Sequence, residues 1–222
     1  MQRRNLFGGL APLVLGGAAL GGAALAATRS ALADPSQVGQ APATPGAATA
    51  RPAPRPRGST TIPNTPVVDQ DGRAFRFYDD LVKDKVVLLN FFFTSCGDTC
   101  PLVTENLRKV QDLLGDRMGR DVFMLSVTLQ PELETPAILK DYAAIWDVGP
   151  GWSFLTGRPA EVEALRRGMG FASADPEDDL LLDNHTGMLR YGNEALDRWA
   201  GTPALSRPEW IVKAVTTSLL VA

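Results

Sequence analysis

Histidine and cysteine are scarce in this 222-residue chain, which has one of the first and two of the second. Two cysteines cannot make a disulfide framework. A chain of this length with 45% hydrophobic residues does not need one to hold a core. Three Cys and His side chains are also too few for the four protein ligands of a structural zinc site. Charge of one sign is not in excess either: the net charge is −3 and the pI near 5.2, which gives no electrostatic reason to expect nucleic acid. No internal repeat is visible. Beyond residue 28 there is no second long hydrophobic run, because Trp210 to Val221 is broken by Lys213 and Thr216-Thr217-Ser218 and reads as a docking helix.

The N-terminal third is not folding sequence. Residues 1–33 have a basic start with Arg3 and Arg4, an uncharged stretch from Leu6 to Thr28, and Ala31-Leu32-Ala33 before Asp34. These are the parts of a secretory signal, twin-arginine in form. The competing expectation is an uncleaved anchor, since Phe7 to Ala27 is long enough to span hydrocarbon. Six glycines and seven alanines make that segment a poor lipid-phase helix. Either way the remainder is expected outside the cytoplasm, in the periplasm, free or held to the inner membrane. Residues 34–66 are Pro- and Ala-rich with almost no large apolar side chain, so a disordered linker is expected.

Residues 67–222 read as one domain. Asp69-Gln70-Asp71-Gly72 is a turn signal, and Arg73 to Phe77 alternates as a half-buried strand does. Val86 to Phe93 is apolar on both faces, as a central strand under two helical layers must be. Leu102, Val103, Leu107, Val110, Leu113 and Leu114 then recur at helical spacing. Asp121 to Val127 reads as a second buried strand, and Pro136 to Trp146 as a helix capped by Thr135. Ser153 to Leu155 is a short strand. Pro159 to Met169 is a helix with Glu161, Glu163, Arg166 and Arg167 on its wet side. Leu180 to Leu182 and Met188 to Tyr191 suit a hairpin around Asn184 to Gly187, and a last helix starts near Leu205. This order argues for an α/β fold with a central mixed sheet flanked by helices.

Cys96 and Cys100 fall where the buried strand hands over to a helix. Functional groups gather beyond the carboxyl ends of strands in such sheets, and the positive end of a helix favours thiolate. Four positions apart, the two sulfurs share a face of any helix that includes both. A plain disulfide competes with this reading, although so short a loop would stabilise weakly. A lone histidine is more often a surface or hairpin residue than a ligand. Taken with two thiolates, however, His185 completes a soft three-coordinate set suited to Cu(I), or to Cu(II) with an added oxygen. Asp183 is a candidate further ligand or outer partner, and Asp98 a weaker one.

The run Phe91-Phe92-Phe93-Thr94-Ser95-Cys96-Gly97-Asp98-Thr99-Cys100-Pro101 resembles the signature of the SCO/SenC family of copper proteins. Asp69 to Gly72, Lys85 to Asn90, Pro131 with Thr135-Pro136, and Trp152 to Gly157 are similar to further stretches of that family. His185 stands where the family places its ligand histidine. The resemblance implies a thioredoxin-like fold, copper held by Cys96, Cys100 and His185, and delivery of copper to the CuA centre of cytochrome c oxidase. Partners would be the oxidase subunit carrying CuA and other copper chaperones. Some relatives are assigned instead to thiol–disulfide exchange or redox signalling, so the same cysteines would be redox-active. The family's paired acids appear here as Gln130 and Glu134, and Asn184 precedes the histidine where aspartate is common. The spacing Cys-x3-Cys departs from the Cys-x-x-Cys of general oxidoreductases. The Pro-x3-Thr-x2-Cys of peroxide-reducing relatives is missing as well.

Overall fold

The computed structural model describes residues 62–218. The expected signal or anchor and most of the expected linker lie outside the described residues. In chain order the elements are β1 (Pro66–Asp69), β2 (Ala74–Arg76), a π-helical turn (Phe77–Val82), β3 (Val86–Phe92), α1 (Thr99–Leu114), β4 (Val122–Thr128), α2 (Pro136–Ile145), β5 (Trp152–Thr156), α3 (Pro159–Gly168), a one-turn α4 (Pro176–Asp179), a 3-10 turn (Leu182–His185), β6 (Met188–Asn193), β7 (Arg198–Pro203) and α5 (Pro208–Ser218). Residues 62–66, expected in the linker, already pack on the domain: Ile62 lies against the core, and Asn64 Oδ1 accepts from the backbone N–H of Tyr78.

One seven-stranded sheet runs β2-β1-β5-β4-β3-β6-β7. Its centre is parallel, with β3 on β4 and β4 on β5, and antiparallel strands flank it as β1 on β5, β6 on β3 and β7 on β6. This is the thioredoxin-like arrangement of a mixed sheet between helices. The two-faced apolar pattern of β3 is the reason for two layers. All seven of its residues are buried. Val86, Leu88 and Phe92 join Val103, Leu107, Leu139 and Ile211 on one side, under α1, α2 and α5. Val87, Leu89 and Phe91 join Val162, Leu165 and Phe77 on the other, under α3 and the π-turn. Asn90 is the one polar residue of β3. It accepts from Ser126 Oγ at 2.7 Å, and that oxygen in turn accepts from Trp152 Nε1 at 2.9 Å, so a buried polar chain crosses three strands without an orphan.

Several sequence expectations need correction. Leu102 and Leu113 are about half exposed, and the face of α1 that packs is Cys100, Val103, Thr104, Leu107, Val110 and Leu114. Leu180 to Leu182 forms no strand. The hairpin is β6 with β7, Met188 opposite Pro203 and Asn193 opposite Arg198. On α3, Glu161 and Arg166 are buried rather than wet, because each has a partner that brings it in.

Candidate metal centre

The cysteine loop is set by what precedes and follows it. β3 ends at Phe92, and the backbone N–H of Cys96 turns back to Phe93 O at 3.3 Å. α1 begins at Thr99, so only Cys100 is inside the helix, and no helix includes both sulfurs. The sulfur does something else. The first N–H groups of a helix have no partner within it, and Asp98 at the cap position offers no side-chain bond. Cys96 Sγ lies 3.4 Å from the backbone N of Cys100 and accepts that N–H in its place.

This geometry separates the two thiols. At Cys96 burial works against ionisation, but the backbone N–H groups of Cys100, Asp98 and Thr99 and the Cys100 thiol outweigh it, and the pKa falls below the ordinary thiol value. Cys100 is enclosed. Burial is the largest influence and pushes it up to about 12; the Phe93 backbone hydrogen bond opposes it, the neighbouring Cys96 adds to it, and the Thr186 side chain opposes it more weakly. Cys96 is the more easily ionised of the two, and Cys100 loses its proton to solvent or a base when a bound metal or a new disulfide bond takes up its sulfur. Both cysteines are free.

The loop is clamped by Glu134 and Gln130, the two residues that stand where the family's paired acids do. Glu134 is buried, and its carboxylate accepts from the Thr94 backbone N–H and from the Thr128 hydroxyl. Gln130 Oε1 accepts from Ser95 Oγ at 3.0 Å. The Thr135-Pro136 start of α2 was the signal available for this clamp, since the residue before a helix cap is held in place. Thr135 Oγ1 does accept the N–H of Ile138. Deeper in the same face, Thr104 bonds both Cys100 O and the Tyr142 hydroxyl, tying the first turn of α1 to α2.

His185 closes the 3-10 turn immediately before Thr186, whose side chain reaches the Cys100 thiol. The turn therefore abuts the cysteine pair. The imidazole itself is engaged elsewhere. It is buried, with Nε2 at 3.0 Å from the Asp179 carbonyl oxygen. A carbonyl can only accept, so Nε2 carries the hydrogen and Nδ1 keeps the lone pair. Arg166 Nη1 stands 3.2 Å from Nε2 and 3.4 Å from Nδ1. An atom so nearly equidistant from both nitrogens lies over the ring face. Arg166 is in turn fixed by the Asp179 and Glu163 carboxylates at 2.7 and 2.8 Å. Hydrogen bonds from that guanidinium and from the Ser173 N–H hold the Asp179 carboxyl well below the usual carboxylate range.

Cys96 and Cys100 are thus brought together, while His185 lies at the same end of the sheet. No three His, Cys, Asp or Glu side chains gather into a metal-holding group among the described residues. Asp183 and Asp98 are exposed and join no such group. The donor chemistry of the pair suits a soft ion: two sulfurs, one easily ionised. With Nε2–H on the Asp179 carbonyl, Nδ1 is the ring nitrogen of His185 that offers a lone pair. It needs a displacement to reach the sulfurs.

The family model described as SCO1/SenC matches residues 58–191, more than half of the chain. An SCO2-like protein of Rickettsia felis is 28% identical over 99 residues, covering 45% of this chain and 46% of that protein. The chain spans about half the length of the curated relatives it matches. Among solved structures, Bradyrhizobium japonicum ScoI with copper bound superposes with a TM-score of 0.55 at 24% identity, over 69% of this chain and 96% of that one. BsSco, a member of the Sco family of cytochrome c oxidase assembly proteins in which a disulfide switch has been identified, gives 0.58 at 23% identity, over 72% and 94%. These likenesses show the fold, and the family model spans residues 58–191, more than half of the chain: the chain belongs to the SCO1/SenC family.

Proposed function

We propose that the chain is a copper-binding assembly factor that takes up Cu(I) on Cys96 and Cys100, engages His185 as third ligand, and passes the ion to the CuA centre of cytochrome c oxidase. The observation that carries this reading is the pair of free sulfurs at the start of α1, one of them ionised readily, in a family where a solved relative holds copper. Copper is the cargo. Two thiolates and an imidazole leave a side open for ligand exchange, which is what hand-over requires. The signal-like form of residues 1–33 supports work outside the cytoplasm, in the periplasm, with attachment to the inner membrane if that segment is retained.

Reduced protein is expected to bind one Cu(I) per chain. His185→Ala lowers that affinity by at least about tenfold, the loss that removing even an outer-sphere partner brings, and leaves the Cys96 thiol as reactive as before. If copper affinity is unchanged in His185→Ala, the three-ligand reading fails.

A second reading is favoured by the unequal acidity of the two thiols. The Cys96 thiolate attacks a target disulfide, forming a mixed disulfide and releasing one target thiolate. Cys100, on losing its proton, attacks Cys96 Sγ, releasing the second target thiol and leaving a Cys96–Cys100 disulfide. Two electrons pass to the target, which could be the cysteines that later hold CuA. Metal-free reduced protein that leaves such a disulfide intact would exclude this reading and leave the copper reading untouched.

A further inference from the structure

Arg190 is the exception among the inward-reaching arginines. It leaves β6 on the face opposite Leu189 and is half-buried, and no carboxylate pairs with it among the described residues. Its Nη1 donates to Met169 O at 2.7 Å, at the C-terminal end of α3, and its guanidinium lies 5.6 Å from the centre of the Trp199 ring. Its Nε–H is enclosed with no acceptor. The backbone is shaped around this stack. A Cβ at Gly170 would stand 2.6 Å from Arg190 Nη1, and one at Gly192 would stand 2.2 Å from the Trp199 ring. Two positions without side chains thus admit the guanidinium and the indole.

The stack borders a cleft of about 410 Å³ between the turn after α3, the His185 turn and the β6–β7 hairpin. Ser173, Asn184 and His185 are its other polar side chains; Phe171, Met188 and Trp199 supply apolar wall, and no Asp or Glu lines it. One helix-end carbonyl and one aromatic face return only part of what a guanidinium loses on leaving water. Burial accordingly lowers the pKa of Arg190, whereas Arg166, with two acids, is raised.

We propose that this cleft is a binding site for a carboxylate carried on an apolar body, the carboxylate taken by the Arg190 guanidinium and the body by Phe171, Met188 and Trp199. A single cation with no second positive side chain beside it matches a monoanion rather than a phosphate, and the planar guanidinium fork fits a carboxylate. The volume is at the small end of ligand pockets. The same chemistry is offered by a free carboxylic acid and by a Glu side chain next to an apolar residue of a peptide.

The test uses the full chain, reduced and metal-free, so that its result is independent of the copper reading. Benzoate, its neutral counterpart benzamide and a blocked Phe-Glu dipeptide are titrated while the Arg190 Nε–H and Trp199 Nε1–H resonances are followed. Saturable shifts with benzoate, with benzamide about tenfold to a hundredfold weaker, are expected for a charge-assisted contact. Arg190→Gln should lose that preference and Arg190→Lys should keep part of it. Saturation by benzoate alone identifies a free acid as the source, and saturation by the dipeptide alone identifies a peptide. Equal binding of benzoate and benzamide overturns the proposal, as does the absence of shifts from both benzoate and the dipeptide through the millimolar range.

Discussion

Cys96 and Cys100 are four positions apart in sequence and far apart in acidity, because one accepts backbone N–H groups at a helix start and the other is enclosed by the core. Limited treatment with iodoacetamide should therefore modify Cys96 first. Its rate should rise with pH through a midpoint below the ordinary thiol value of about 8.5, since a lowered pKa means thiolate appears at lower pH. Cys100 should follow only under strongly alkaline conditions or on unfolding. Peptide mapping by mass spectrometry measures this, and equal modification of the two at neutral pH would contradict the assignment. The cysteines were legible in the sequence as a pair at a strand-to-helix junction. The sulfur acting as the helix cap was not, since that depends on α1 beginning three residues later than Cys96. His185 was legible only through family resemblance. Its partners Arg166 and Asp179 carry no sequence signal, because Arg166 looks like any charged residue on an exposed helical face until the residue thirteen positions on folds back to it.

At the scale of elements, α3 and α4 are joined through Arg166 and Asp179, and that joint sets where the His185 turn sits. The Asp179 carboxyl is depressed by Arg166 and the Ser173 N–H in the folded state. Its contribution to stability is therefore fully present above the unfolded aspartate pKa near ~3.9 and is lost as pH falls from there through the lower folded value. Urea unfolding of the wild type and Asp179→Asn should differ at neutral pH, and the difference should shrink across that acid window. A difference constant with pH would remove the charge argument. The elements with strong local signals were read correctly from sequence: β3 and β4 from two-sided apolar runs, and α2 from Thr135-Pro136. The hairpin was misread because Leu180 and Leu181 form an apolar run that points to solvent. The true partner strand, Arg198–Pro203, is a half-exposed edge strand whose polar residues hide its periodicity.

Across the whole molecule, the two halves of the candidate centre hang from neighbouring strands. The cysteine loop follows the end of β3, and the His185 turn precedes the start of β6, and the two strands pair antiparallel with Leu89 opposite Arg190. The pairing joins positions about a hundred residues apart, so closing that loop is among the more costly steps in chain entropy. The cysteine loop and α1, by contrast, are assembled from neighbouring sequence. On the proposed ligand set of Cys96, Cys100 and His185, the order in which the chain acquires its donors follows from this. A refolding chain should present a two-sulfur site first, and gain its imidazole only once β6 has docked. With Cu(I) present during refolding, copper–thiolate absorption should appear in an earlier phase than the shift of the His185 ring resonances, and a single common phase would show that the cysteine loop and the β3–β6 pairing form together, against this order. A nascent chain would then meet copper with two donors and hold it with three, so that completion of the fold itself acts as the step that tightens the grip.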